Sequence, residues 1–272
     1  AALTIMNSAS TTFDAAVTVT DGTGEIEIAD TDTGSVIFDG FLTALSFTAN
    51  ASDSDYGVEM NAGAAITNAS IFDNTGSVTL VDAGADFNFT GGLSINDATV
   101  SIEGDVITNN ADANFGTGAM TLTGTTTVNT GAGIGDVNFG GTIDGGSALT
   151  VDSGAGSVDF RGNVGDAGGG LDSLTVTGET TLHGISLQTG NDIIFNSNVT
   201  LDLAAVAVTS NLGNITFGAS LNSASGEDLT LSAVAGNIDF EGIVGGAVGV
   251  SRLGDVLVLA VNSLTADLDF FA

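Results

Sequence analysis

The chain has 272 residues, enough for one or two domains with a large core, and 43% of them are apolar while 13% are charged, which excludes a disordered, highly charged chain. A formal net charge of −31, from 33 acids against two arginines, no lysine and one histidine, excludes a plain nucleic-acid binder and argues against docking on anionic membranes. Forty glycines, abundant Thr, Asn, Ser and Asp, and no proline disfavour long helices and leave every strand N–H free to pair; no disulfide framework is possible without cysteine.

Along the chain, short runs rich in Val, Ile, Thr and Phe alternate with glycines, which is strand chemistry. Residues 1–90 alternate locally in AVTVTD and EIEIAD, and carry GSVIF ending at Phe38 and GSVTL ending at Leu80. Residues 91–134 contain the strand-like pieces LSIND, TVSIEGDVI and MTLTGTTTV. Residues 135–245 hold the clearest repeat: GDVNF at Phe139, GSVDF at Phe160, GNDIIF at Phe195, GNITF at Phe217 and GNIDF at Phe240. Residues 246–272 end in the apolar, strand-like DVLVLAV and SLTADLDFFA. No disordered linker separates these stretches, and 1–272 reads as a single domain, less regular over 1–134, clearest over 135–245, with terminal strands over 246–272.

The spacing sets the architecture. Successive phrases lie 21, 22 and 23 residues apart, and Phe38 to Leu80 is twice 21. That period is too short for a domain and suits one coil of a solenoid. The gaps of 59 and 35 do not divide cleanly and point to degenerate coils or insertions. An LTV-like strand precedes several of the Phe strands by nine residues, as Val151 precedes Phe160. Two or three sheet faces per coil are both compatible with this, and three short strands fit the count better. The expected fold is all-β, a parallel β-helix of about 21–23 residues per coil, a dozen coils and a rod of about 55–60 Å.

Period-2 alternation turns Val158 and Phe160 to one face and Asp159 to the other, and the same holds around Asn138, Thr216 and Asp239. Stacked coils would then build an internal column of Phe139, Phe160, Phe217 and Phe240 beside a Val/Ile column. The glycine opening each phrase can supply the positive φ of a tight corner, and the small polar residue after it can bond neighbouring backbone. Of the acids 26 are Asp and 7 Glu, which fits turn chemistry better than a generally acidic surface.

The fragment GSVDFRGNVGDAGGGLDSLTVTGETTL resembles the repeats of large bacterial surface proteins of the filamentous-haemagglutinin kind, in its G-x-V-x-F and L-T-V-x-G phrasing. The resemblance covers residues 135–245 and, beyond them, composition only. It implies a right-handed parallel β-helix exported to the cell surface, in an adhesin, sheath or spacer.

Candidate sites are few. Arg161 is expected to neutralise outward Asp residues of neighbouring coils, and His183 to be a solvated or capped structural histidine. No H-E-x-x-H, G-x-S-x-G, P-loop or EF-hand pattern occurs, so no catalytic residue is assigned and a non-enzymatic role is expected. The pairs Asp53/Asp55 and Asp267/Asp269 (with Asp30/Asp32) would project to one face if extended, where calcium could relieve their repulsion; solvated carboxylates are the competing reading. Sequons at Asn50, Asn68, Asn88, Asn198 and Asn214 are no more than chance supplies here, and the Thr runs do not keep the register an ice-binding array needs. No run approaches the about 20 apolar residues of a membrane span, and no leader opens the chain, so a signal peptide is expected to have been removed or the chain to be an excerpt. Apolar ends without amphipathic caps point to copies of itself, or further coils of a longer chain, as partners. The functional expectation is an extracellular structural solenoid that polymerises into a surface fibre, sheath or adhesin stalk, an S-layer-type subunit being a variant. The alternative is a β-helix that binds or degrades polysaccharide, with surface glycans as partners.

Overall fold

A computed structural model of the chain describes residues 2–31, 33–51, 55–82, 84–166, 170–246 and 252–266. Thirty strands and no helix occur among them, and the strand pairings are parallel. The chain winds as a β-solenoid of about 11 turns, each carrying three short strands. The first face stacks Ala2–Ser8, Glu25–Thr31, Ser46–Ala49, Ser70–Phe72, Leu93–Ile95, Ala113–Phe115, Val137–Phe139, residues 157–160 and 179–183, Val199–Asp202 and Leu221–Ser223. The second face begins with Thr11–Phe13 and ends with Val256–Ala260. The third begins with Val17–Val19 and ends with Ser263–Ala266. The ladders run through residues 2–134, where the repeat phrase is loose, and on through 135–245.

Three sheets close around one dry core because alternate residues of every strand point inward. Val137, Phe139, Val158 and Phe160 are buried, whereas Asn138 and Asp159 between them face out. The same alternation holds at Ile215/Phe217 and Ile238/Phe240.

The expected single phenylalanine column is corrected by the register. Phe115, Phe139 and Phe160 stack on the first face with ring centroids 5.2 and 5.1 Å apart. Phe195, Phe217 and Phe240 stack on the third face, 5.5 and 5.3 Å apart. Above Phe160 the first-face column continues as Leu182, Leu201 and Ser223; below Phe195 the third-face column is Val176, Val151 and Val128. The six turns from Phe115 to Phe240 therefore carry Phe on one of these two faces and a smaller residue on the other, whereas the turn of Phe72, Phe87 and Phe89 has Phe on both. Within those six turns the physical reason is volume: a large ring on one wall is matched by a smaller side chain on another.

The repeat phrase likewise changes face. GSVIF and GSVTL lie on the second face, GDVNF and GSVDF on the first, GNITF and GNIDF on the third. The irregular gap of 35 from Phe160 to Phe195 is one turn of 22 residues to Leu182 plus 13 residues across two faces, not an insertion.

The phrase glycines serve a different need from the one expected. Gly34, Gly76, Gly135, Gly156, Gly213 and Gly236 do not adopt positive φ. A Cβ at Gly156 would fall within 3.0 Å of the Gly135 carbonyl oxygen, and one at Gly236 within 3.0 Å of that of Gly213. Adjacent turns approach backbone to backbone at these corners, and only hydrogen fits between them. Gly190, in the longer GNDIIF phrase, meets nothing closer than 3.6 Å.

Candidate functional site

At several corners a short polar side chain bonds the backbone of the turn beside it, often at the residue after the phrase glycine. Asp112 Oδ1 accepts the Asp136 N–H (2.9 Å), and Asp136 Oδ1 accepts both the Ser157 N–H (2.7 Å) and the Ser157 hydroxyl (2.8 Å). Asp192 and Asn214 repeat the pattern toward the Asn214 and Asn237 amides, and Asp228 toward that of Asp255. A short carboxylate or amide reaches one turn and no further, which is why these corners use Asp and Asn. Four of the 33 acids thus serve corner chemistry.

On the outer first face, the register brings the sole histidine between two carboxylates. Asp159 lies in the strand preceding His183 in the stack and Asp202 in the strand following it. His183 Nδ1 is 3.1 Å from Asp202 Oδ2, and Nε2 is 3.5 Å from Asp159 Oδ1. Arg161 Nη2 donates to Asp159 Oδ2 at 2.9 Å. The imidazole is only 9% exposed, so the expectation of a solvated or capped histidine is corrected: stacking of three successive turns encloses it. Neither ring nitrogen has a hydrogen-bond partner of good geometry despite those distances. Arg161 does neutralise an outward Asp, but one two residues before it in its own turn rather than on a neighbouring coil.

A second buried polar group was not signalled by any motif. Glu227, 8% exposed, sits in the corner after Leu221–Ser223. Its Oε2 accepts the Ser223 hydroxyl and the Ser225 N–H, the latter at 2.8 Å, while Ser223 Oγ accepts the Gly226 and Glu227 N–H groups. Burial pushes this carboxyl up, and the Ser223 hydroxyl with the surrounding backbone N–H groups outweighs it, holding the carboxyl below its ordinary value. The run Ser-Ala-Ser-Gly-Glu reads in sequence as an ordinary polar turn.

Asp53, Asp267 and Asp269, three of the four calcium candidates, lie outside the described residues. Asp55 accepts the Thr75 hydroxyl from the next turn at 2.7 Å. Among the described residues no three His, Asp or Glu side chains converge as a metal cage. An open groove of about 400 Å³ crosses the corner between the third and first faces, lined by Ala69, Gly91, Gly92, Ser94, Asp112 and Asn114 among others. Among the described residues no helix is long and apolar enough to cross a membrane.

At both ends of the described solenoid the inward apolar residues are only partly covered: Leu3, Phe13, Val17 and Val19 in the first turn, Val256, Val258 and Val261 in the last. Leu257, Leu259 and Leu264 of the last turn are exposed. Comparison with protein-family models, with curated proteins and with solved structures returned no match, so nothing in them identifies a filamentous-haemagglutinin-like family.

Proposed function

We propose that this chain is a non-enzymatic structural solenoid of the extracellular surface, whose turns stack on further turns into a fibre, sheath or adhesin stalk. The observation that carries the reading is the run of about 11 three-stranded turns in continuous parallel ladders around one apolar core. A parallel ladder repeats the same strand direction and three-faced cross-section at every turn, a geometry on which the turns of a second copy can be laid. Head-to-tail contacts of this kind do not close, and they build filaments. The phrasing shared with filamentous-haemagglutinin-like repeats is in keeping with this role.

Sedimentation and negative-stain imaging over a range of concentrations, with calcium or a chelator, test the reading. Rods lengthening in multiples of one solenoid are expected. Particles that stay monomeric under every condition refute self-assembly. The groove at Gly91, Gly92 and Asp112 favours a second reading, a solenoid that binds neutral glycan along its corner. A silent glycan array refutes it.

A further inference from the structure

The His183 cluster is unexplained by a purely structural role. Its two ring nitrogens are buried and lack well-directed partners, although a carboxylate oxygen lies near each. An oxygen 3.1 Å from Nδ1 but off the N–H direction is badly placed to accept a hydrogen bond. It is well placed as the adjacent vertex of a coordination sphere. Two donors each about 2.1 Å from a common ion, at an angle near 95°, are about 3.1 Å apart.

We propose that His183 Nδ1 and Asp202 form a two-ligand site for a borderline divalent transition-metal ion, with water completing the sphere. Imidazole plus carboxylate is a donor set for Zn²⁺, Ni²⁺ or Cu²⁺ rather than for calcium, which takes oxygen donors. The Nδ1 side is selected over the Nε2 side by charge. Asp159 is already paired with the Arg161 guanidinium, which repels an incoming cation, whereas among the described residues Asp202 has no such neighbour. The Asp202 side chain is 32% exposed, leaving the ion's outer positions open to water. The ion would tie the strand ending at His183 to the strand ending at Asp202, its neighbour in the stack.

The test uses Cu²⁺ as the probe, added at one equivalent to chelator-stripped protein and followed by electron paramagnetic resonance. The expected spectrum shows coupling to one ¹⁴N nucleus. That coupling disappears in His183→Ala. In Asp202→Asn, Cu²⁺ affinity falls at least tenfold, whereas Asp159→Asn leaves it little changed. An all-oxygen spectrum in the unaltered protein, indistinguishable from that of His183→Ala, overturns the site and leaves the imidazole paired with its two carboxylates. Loss of coupling in Asp159→Asn but not in Asp202→Asn overturns the assignment to Nδ1. Far-UV circular dichroism checks each variant's fold, and the Asp202→Asn measurement stands if His183→Ala does not fold.

Discussion

Replacing single glycines with alanine separates two kinds of corner with opposite signs. At Gly190 a Cβ makes only ordinary van der Waals contact, with its nearest neighbours at 3.6 Å, and the backbone is not in the left-handed region. Gly190→Ala then acts through the unfolded chain, whose lost freedom is worth about 0.4–1 kcal/mol in favour of folding. At Gly236 the same methyl falls inside contact distance of the Gly213 carbonyl oxygen. That atom belongs to the backbone of the adjacent turn and cannot swing aside; the ladder from Ile215 to Ile238 must open locally. Overpacking of this kind costs about 3 kcal/mol, and the unfolded-state term offsets under 1 of it, so Gly236→Ala should lose about 2 kcal/mol or more. Urea denaturation followed by circular dichroism reads both, with equal slopes as the check that one cooperative transition is compared. If Gly236→Ala stays within about 0.5 kcal/mol of the parent, the close approach of turns is not what reserves these positions for glycine.

The volume balance between faces predicts a compensating pair: Leu182→Phe and Phe195→Val each destabilise alone, and together recreate the Phe160/Val176 arrangement of the preceding turn. A double-mutant cycle should show coupling of at least about 1 kcal/mol in favour of the pair; strict additivity would refute the balance. Asp136→Ala strips the Ser157 amide and hydroxyl of their acceptor and should cost about 1–3 kcal/mol in thermal or urea unfolding, more than Asp166→Ala, which removes only an exposed bond from the Asn163 side chain. Glu227 carries a pH signature. Its folded carboxyl titrates below its ordinary value, so its stabilisation is fully present above the unfolded value, about 4.3–4.5, and is lost as pH falls through the lowered folded value. The stability gap between the protein and Glu227→Gln, read from melting curves between pH 7 and pH 2.5, should shrink at the acid end; a gap independent of pH would refute the role.

Phe139, Phe160, Phe217 and Phe240 are legible in the sequence as core residues because alternation is a local property of each strand. Their face is not, since Gly-x-Val-x-Phe describes a close corner and two inward side chains, and any of the three walls can use that. The gaps of 59 and 35 hold the missing information: they mark where the phrase moves to another wall. His183 was unreadable for a related reason. Asp159 and Asp202 are 24 and 19 residues away, one turn on either side, and a turn length that varies from corner to corner hides such neighbours until the register is known. Glu227 gave no signal because its partners are local backbone and one serine, the ordinary vocabulary of a loop.

The ladder also sets how the molecule reaches its structure. Paired residues of the named strands are 19 to 28 positions apart, never hundreds. Divided by the chain length, that separation is about 0.08, a relative contact order typical of helical bundles rather than of β-sandwiches. Each completed turn is the template for the next, so folding can start at any well-packed turn and spread toward both ends, and the Phe115–Phe160 and Phe195–Phe240 stacks are the natural starting points. If copies stack as proposed, growth of the rod and folding of the chain are one process, the laying of a turn on an edge.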